Sequence, residues 1–331
     1  MSSIDAMSAP MRALIWGGLI VNLLMAVTAI GLWFERKFAA RMQSRLGPTI
    51  VGPAGLLQLI ADVLKMLQKE HIVPKASDKF LFELAPPLTV LFALAVAAVI
   101  PFSPKIIAAD LDVGVLYVLA MGGLMVVPVF MAGWASNNKF ALIGGMRAIA
   151  QAVSYEVPLV LVAMVPVILS GTLSVSGVVQ WQADHHWFVI WPVIPGLPAF
   201  VIFYMAMLAE SNRIPFDIPE AESELVAGIT TEYTGMKFGL FYMAEYVHTL
   251  IGSAVASALF LGGWDGPFAP GLHWMLLKTL VLFGSVYWVR WTLLRLRGDQ
   301  LMAICWKWLV PISLGLVMCA AAWVVFAKGL G

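Results

Sequence analysis

VGVLYVLAMGGLMVVPVFMAGWA, residues 113–135, runs for 23 residues without one charged side chain. A helix of roughly 20 apolar residues is what the hydrocarbon layer of a bilayer requires. Composition shows that this stretch has company. Of 331 residues, 61% are hydrophobic and 12% charged, with a mean hydropathy of +0.90. One soluble core cannot bury that much apolar surface. Reading outward in both directions gives eight candidate spans, 13–34, 84–101, 113–135, 157–179, 188–209, 238–262, 272–289 and 308–327. Pro158, Pro166 and Gly171 interrupt the fourth of them. The expected fold is an all-α polytopic membrane protein with about eight transmembrane helices, forming a single integral membrane domain over 1–331. The opening MSSIDAMSAP has no basic n-region and no small-residue cleavage site, so the first span is expected to stay as an anchor.

Orientation follows from the basic residues. Segments 35–80, 136–156, 210–237 and 290–307 hold eight, two, two and four of the 20 Lys and Arg. Positive loops stay cytoplasmic, which puts both termini on the periplasmic side of a bacterial cytoplasmic membrane. An even number of spans agrees, since it puts both termini on one side. The net charge of +1 is uninformative because the charges collect on one side. The basic 35–80 segment reads as lying against anionic lipid rather than nucleic acid. Cys305 and Cys319 form no CxxC, so neither a metal framework nor a structural disulfide is implied. GxGxxG, the P-loop lysine motif, GxSxG and HExxH are all missing. His185 and His186 read as part of a solvated outer loop. Redox chemistry near this chain has to come from a partner.

Three polar constellations interrupt the apolar background. The first is ERKFAARMQSRLGPTIVGPAGLLQLIADVLKMLQKE, residues 35–70. Lys37, Arg41 and Arg45 recur every four residues and are expected on one helical face. Gly47-Pro48 and Gly52-Pro53 then break the chain. Beyond Pro53, Gln58, Asp62, Lys65 and Lys69 form a narrow polar stripe on an otherwise apolar segment. That pattern describes an amphipathic helix lying in the membrane interface. It reads either as a surface brace with lipid-facing arginines or as the rim of a portal for a lipid-soluble molecule.

The second constellation is an acidic cytoplasmic loop, 210–237. Glu210, Asp217, Glu220, Glu222, Glu224 and Glu232 face only Arg213 and Lys237 there, a sum of −4. Pro219 suits the first turn of a new helix, on which Glu220 and Glu224 would share a face and Glu222 would point away. Most charge runs are solvated loops. Ile214, Phe216, Ile218, Leu225 and Val226, interleaved here, argue against that reading. The third constellation lies in or beside the spans: Glu245 with His248 at i, i+3, Glu156 after Tyr155 at the start of the fourth span, Glu35 and Glu83. Ionisable groups in a span are costly and face a hydrated path or a partner. A structural ion pair, for example with Lys278, explains any single one; the set reads as a proton path. Burial and mutual repulsion are expected to lift these carboxyls toward neutrality, against the helix dipole at Pro219.

The 35–70 stretch and AESNRIPFDIPEAESELVAGITTEYTGMKFGLFYMAEY (209–246) resemble the signatures of one family, the H subunit of proton-pumping NADH:quinone oxidoreductase, respiratory complex I. The resemblance continues through GWASNNKFALIGGMRAIAQAVSYEVPL (133–159) and RLRGDQLMAICWK (295–307). It implies an eight-span protein where a hydrophilic arm meets the membrane, forming much of the quinone chamber and binding no redox centre itself. FMN and iron–sulfur clusters are then expected in partner subunits. Those partners are the iron–sulfur and quinone-site subunits of the arm, small membrane subunits and antiporter-like pumps, with quinone as substrate and lipid around them. Carried across, Arg36, Arg45 and Asp62 border the quinone portal and Arg290 lies in its channel. Arg213, Asp217, Glu220, Glu222 and Glu224 lie on the loop facing the chamber. Glu210, Glu232, Glu156 and Glu245 continue an acidic relay. Thr234 stands where many relatives carry serine. Three other readings remain open at this point: the anchor subunit of a membrane-bound hydrogenase, a stand-alone ion-coupled transporter, and a scaffold holding the arm. The transporter reading lacks the two similar halves such folds often show.

Overall fold

The computed structural model describes residues 9–104, 106–190, 195–219 and 222–329. Helices account for nearly all of the regular structure among them, and an isolated bridge between Ser103 and Ile106 is the only strand-like pairing. In chain order the helices are α1 Ala9–Met42, α2 Gln58–Gln68, α3 Lys79–Ala97, α4 Gly114–Leu124, α5 Val126–Ala135, α6 Lys139–Ser170 and α7 Val175–Asp184. They continue as α8 Gly196–Glu210, α9 Glu222–Leu225, α10 Gly235–Phe260, α11 Leu272–Thr292, α12 Gly298–Ile304 and α13 Val310–Gly329. A π-helical turn, Cys305–Leu309, joins the last two. Seven segments among the described residues are long and apolar enough to cross a membrane. The all-α polytopic expectation holds.

The fifth expected span, 188–209, is shorter than anticipated. Its helical part is α8, 15 residues, or about 22 Å at 1.5 Å per residue against a hydrocarbon layer of about 30 Å. Residues 188–190 form a turn, and 191–194 lie outside the described residues. Pro195, with no N–H to give, stands at the helix N-cap.

Two further expectations are corrected. Pro158 and Pro166 lie inside α6 without ending it. Each removes one ladder bond, a loss that packed neighbouring helices in a bilayer can support. What stops α6 is Gly171, at φ +73, whose N–H bonds the Val167 carbonyl at 2.8 Å. Because α6 begins at Lys139 rather than near 157, Glu156 sits midway along a helix and not at its entrance. Likewise α1 runs eight residues beyond its expected end at 34. Glu35, Arg36, Lys37 and Arg41 therefore ride on a helix, but Ser44 at φ +55 terminates it, and Arg45 lies off the face it was expected to share.

Polar caps mark where several helices begin. Asp78 accepts from the N–H groups of Phe80 and Leu81 at 3.1 and 3.3 Å at the start of α3. Asn138 does the same for Phe140 at 2.9 Å at the start of α6. These caps lie at one end of the bundle, where Asn137 also reaches the Ala76 carbonyl at 3.1 Å. The basic segments gather at this end. At the opposite, distal end the Val115 N–H bonds the Leu173 carbonyl at 2.9 Å, tying α4 to the α6–α7 turn. Between the two ends α10 is the axis of the bundle. Of its most apolar window 83% is buried, against 18% for α1 and 22% for the last span. The ionisable side chains of α10 therefore lie in the interior.

Candidate functional site

Glu35, at the basic end of α1, is the hub of the site. It is only 5% exposed. Its Oε1 accepts from Arg290 Nη1 at 2.6 Å, its Oε2 accepts from the Tyr246 hydroxyl, and Arg213 Nη1 stands 3.9 Å from Oε2. Arg213 in turn places Nε 2.9 Å from Glu245 Oε1, and its guanidinium lies over the Tyr246 ring at 3.9 Å. Two carboxylates and two guanidiniums thus interlock between α1, α10, α11 and the 211–219 loop.

That loop is held firmly. The Arg213 N–H bonds the Leu208 carbonyl at 3.2 Å, the Phe216 N–H bonds the Arg213 carbonyl at 2.7 Å, and the Leu296 N–H bonds the Pro215 carbonyl at 2.9 Å. Burial by itself would lower the Arg213 pKa. The negative potential of Glu245, Tyr246 and Glu35 outweighs it and holds the value well above the ordinary one, so the group stays cationic. Its contact with Glu245 is one of charge and proximity, because none of its N–H groups is aligned on a protein acceptor. Asp217, half-buried in the same loop, adds a further acid beside this cluster.

The rim of the cluster is α2. Arg36 pairs with Asp62, and Gln58 Nε2 donates to the second oxygen of Asp62 at 3.0 Å. Trp33 Nε1 reaches the Ala54 carbonyl at 3.1 Å. The amphipathic helix has its inner end polar and its apolar side outward: Ile60, Val63, Leu64 and Leu67 are 52–60% exposed. The expected polar stripe is therefore divided. Gln58 and Asp62 turn toward α1, while Lys65 and Lys69 are exposed. Arg45 does not join them; its Nε bonds Gln43 Oε1 at 2.7 Å on the surface.

Deeper in the bundle, Glu210 and Glu156 rest against α4. There Gly122 and Gly123 present bare backbone. A methyl group on Gly122 would fall 2.5 Å from Glu210 Oε1, and one on Gly123 would overlap Glu156 Oε1. His248 Nε2 lies 3.5 Å from Glu210 Oε1. Glu210 borders two cavities of about 30 Å³ each, roughly one water apiece. One is lined by His248, Leu159 and Val255, the other by Tyr155, Ala148 and Asn212. Both touch Gly122.

The remaining loop acids separate. Glu232 accepts from Asn138 Nδ2 at 2.6 Å and is half-buried. Glu224 is on the surface, with Arg147 Nη1 at 2.5 Å and Arg295 Nη2 at 3.4 Å. The helix expected from Pro219 is the single turn α9; Glu220 lies outside the described residues, as does the side chain of Glu222. The expected upward pull on these carboxyls fails at Glu224, where the Arg147 hydrogen bond and then Arg295 hold the pKa below the ordinary carboxylate value. A depressed folded-state pKa means the tie is complete above the ordinary carboxylate range and is lost only as pH falls through the lowered value. Cleavage near α9 by added protease is therefore expected to be the same at pH 8 and pH 6 and to rise in 1 M salt, which screens exposed pairs. Equal cleavage at low and high salt would show that the arginines do not hold the loop.

Lys278 makes no ion pair among the described residues, although the Asp265 carboxylate acts on it through its charge. Its ammonium bonds backbone carbonyls at the distal end of the bundle, so the suggested ion pair with a buried acid is replaced. Nor does any group of three or more His, Cys, Asp or Glu among the described residues offer a metal site. Sequence reasoning passed over Glu35 as the hub, Tyr246 as its hydroxyl donor, and Gly122 with Gly123 as the seat of two carboxyls. A visible signal existed for the glycines, since a GG pair inside an uncharged span invites close approach. No local signal marks Glu35.

A family model described as NADH dehydrogenase matches residues 16–321. The H subunit of the NADH-quinone oxidoreductase of Anaeromyxobacter dehalogenans is 43% identical over 332 residues, covering 92% of this chain and 80% of its own length. The protein of the same name from Dehalococcoides mccartyi strain CBDB1 is 46% identical, covering 96% and 87%. That of Chlorobaculum parvum is also 46% identical, covering 92% and 90%.

Proposed function

This chain belongs to the NADH dehydrogenase family, and from that premise we propose that it is the membrane subunit forming the quinone chamber of an NADH-quinone oxidoreductase, where it passes the charge of quinone reduction into a buried file of acids. The observation that carries this reading is Arg213, 1% exposed and set between Glu35 and Glu245. Such an arrangement responds to charge. Reducing a quinone adds two electrons and calls for two protons. At an effective dielectric near 20, a unit charge at contact distance is worth about 4 kcal/mol. Negative charge in the chamber draws Arg213 and Arg290 toward it and weakens their hold on Glu35 and Glu245. Those carboxylates, less well compensated, take up protons. Glu210, which borders the two water-sized cavities, and Glu156 against α4 continue the route inward, and Glu232, Asp217 and Glu224 supply acids at the basic end.

The other roles follow from placement. Asp62, Arg36 and the inward side of α2 border the portal, while the leucines of α2 face lipid. Arg45 lies at the surface of the same loop. Electrons come from iron–sulfur and FMN centres in partner subunits of the arm. The basic end faces that arm and the cytoplasm, which leaves both termini periplasmic in the bacterial inner membrane. Pump subunits alongside complete the translocation, since each charge moved costs roughly 2.3 kcal/mol per 100 mV. This reading is taken over the hydrogenase anchor and the lone transporter because the relatives described above carry the oxidoreductase name.

Asp62→Asn and Arg36→Gln in the assembled enzyme test the portal. Both remove a pair whose side chains are 29% and 43% exposed, so the loss of stability is expected to be under about 1 kcal/mol. Reduction of a long-tailed quinone is expected to slow several-fold, while a short soluble analogue reacts near the parent rate. Equal slowing with both substrates would remove the portal assignment.

A further inference from the structure

His248 lies midway along α10, 4% exposed, and the relay described above makes no use of it. Neither of its ring nitrogens has a hydrogen-bond partner among the described residues. A buried polar atom left without a partner costs about 1–3 kcal/mol, and two of them on one residue call for an explanation. Packing alone would be served by an apolar side chain, since Leu119, Leu159, Phe203, Ile251 and Val255 make the same wall.

One neighbour can exchange a proton with it. His248 Nε2 stands 3.5 Å from Oε1 of Glu210, the residue that ends α8. Both side chains line the same cavity of about 30 Å³, room for roughly one water, which would touch both. Helix packing sets this approach. A methyl on Gly252 of α10 would fall 2.7 Å from Met207 Cγ of α8, and one on Gly122 of α4 would fall 2.5 Å from Glu210 Oε1. The two glycines bring α8 against α10 on one side and α4 on the other, with the carboxyl between them.

The other ionisable groups around the pair are few. Tyr155 of α6 lines the second small cavity beside Glu210, and Glu156 of α6 rests against Gly123. Glu245 precedes His248 by three residues on α10, which makes them surface neighbours on the helix, but its carboxyl is engaged by Arg213 at 2.9 Å. Among the described residues no lysine or arginine pairs with Glu210, and His248 is the group beside it that can carry a positive charge.

We infer that His248 is the proton-exchanging partner of Glu210, so that a carboxyl and an imidazole act there as one unit. The step is a transfer within the pair. The O–H bond of protonated Glu210 breaks, an N–H bond forms at His248 Nε2, and carboxyl plus imidazole become carboxylate plus imidazolium. Net charge is zero on both sides of the step, so the interior never holds an isolated charge. A change of potential from the chamber then selects between the two forms. Imidazole suits the task because it both takes up and gives up a proton near neutral pH. The pair stands on its own geometry; its use in pumping rests on the proposed function.

The test uses the assembled enzyme in sealed vesicles and counts protons moved per quinone reduced. His248→Gln keeps polar atoms toward the cavity but cannot take up or release a proton; His248→Leu keeps only bulk. Both are expected to lower the count about tenfold. A parent-like count in His248→Gln overturns the inference. If Glu210→Gln is then defective, the relay runs without His248; if Glu210→Gln also matches the parent, the relay itself falls. Should the His248 variants fail to assemble, redox-difference infrared spectra of enzyme carrying isotope-labelled histidine decide. On quinone reduction the parent is expected to show a label-sensitive imidazole band that Glu210→Gln lacks. No such band in the parent, or the same band in both, overturns the pairing.

Discussion

Arg213→Met is expected to give the largest loss of any single substitution in this chain. Glu35 and Glu245 would be left in the interior with Arg290 as the cation still within reach, and breaking a buried pair from one side costs about 3–5 kcal/mol. Little assembled enzyme should be recovered, and what remains should reduce quinone at a small fraction of the parent rate. Arg213→Lys restores the charge but neither the planar stacking over Tyr246 nor the reach to both acids, so it is expected to assemble partly and to turn over slowly. The diagnostic case is Arg213→Met with Glu245→Gln. Removing both members of the pair relieves the uncompensated carboxylate, and assembly should recover by most of the loss while quinone-linked pumping does not. Immunoblotting of the assembled complex, set beside quinone reductase and pumping rates, separates the two. Recovery of pumping in the double variant would mean that Arg213 serves the fold alone.

Glu210→Gln should do the reverse, leaving the fold and removing the function. Glutamine matches the volume of glutamate and retains polar atoms toward both small cavities, so the assembled amount should be unchanged. It cannot take up or release a proton, and loss of a group that does so typically lowers a rate by 10²–10⁴. Proton pumping per quinone reduced is expected to fall at least about tenfold. Gly122→Ala reaches the same carboxyl from its other side. Alanine is favoured over glycine in a helix interior by up to about 1 kcal/mol, so stability should hold or rise. The new methyl, 2.5 Å from the present position of Oε1, has to displace the carboxyl. Pumping should drop in this variant also. Normal stoichiometry in Glu210→Gln would remove this residue from the relay.

Glu224 shows why an acid named in sequence is not yet an acid of known state. The run from 210 to 237 sums to −4, which suggested mutual repulsion. The fold instead places Arg147 from α6 and Arg295 from the segment between α11 and α12 on Glu224, and its carboxyl is held ionised. Glu35 is the opposite case. It is one acid at the end of an apolar stretch, with nothing local to distinguish it, and packing makes it the centre of the cluster.

Sequence by itself determined the class of fold, most of the apolar stretches, the amphipathic segment after Pro53 and the segments in which the basic residues collect. These are local properties, since the length and periodicity of an apolar run are set by neighbours in the chain. It misjudged Pro158 and Pro166, whose cost depends on what packs around them. Only the tertiary structure decided which charge meets which. Glu35 finds a hydroxyl 211 residues away and a guanidinium 255 residues away, and Lys278 bonds carbonyls instead of pairing with an acid. In a low-dielectric interior a buried charge must be compensated by whatever the packing brings within a few ångströms, and separation along the chain carries no record of that.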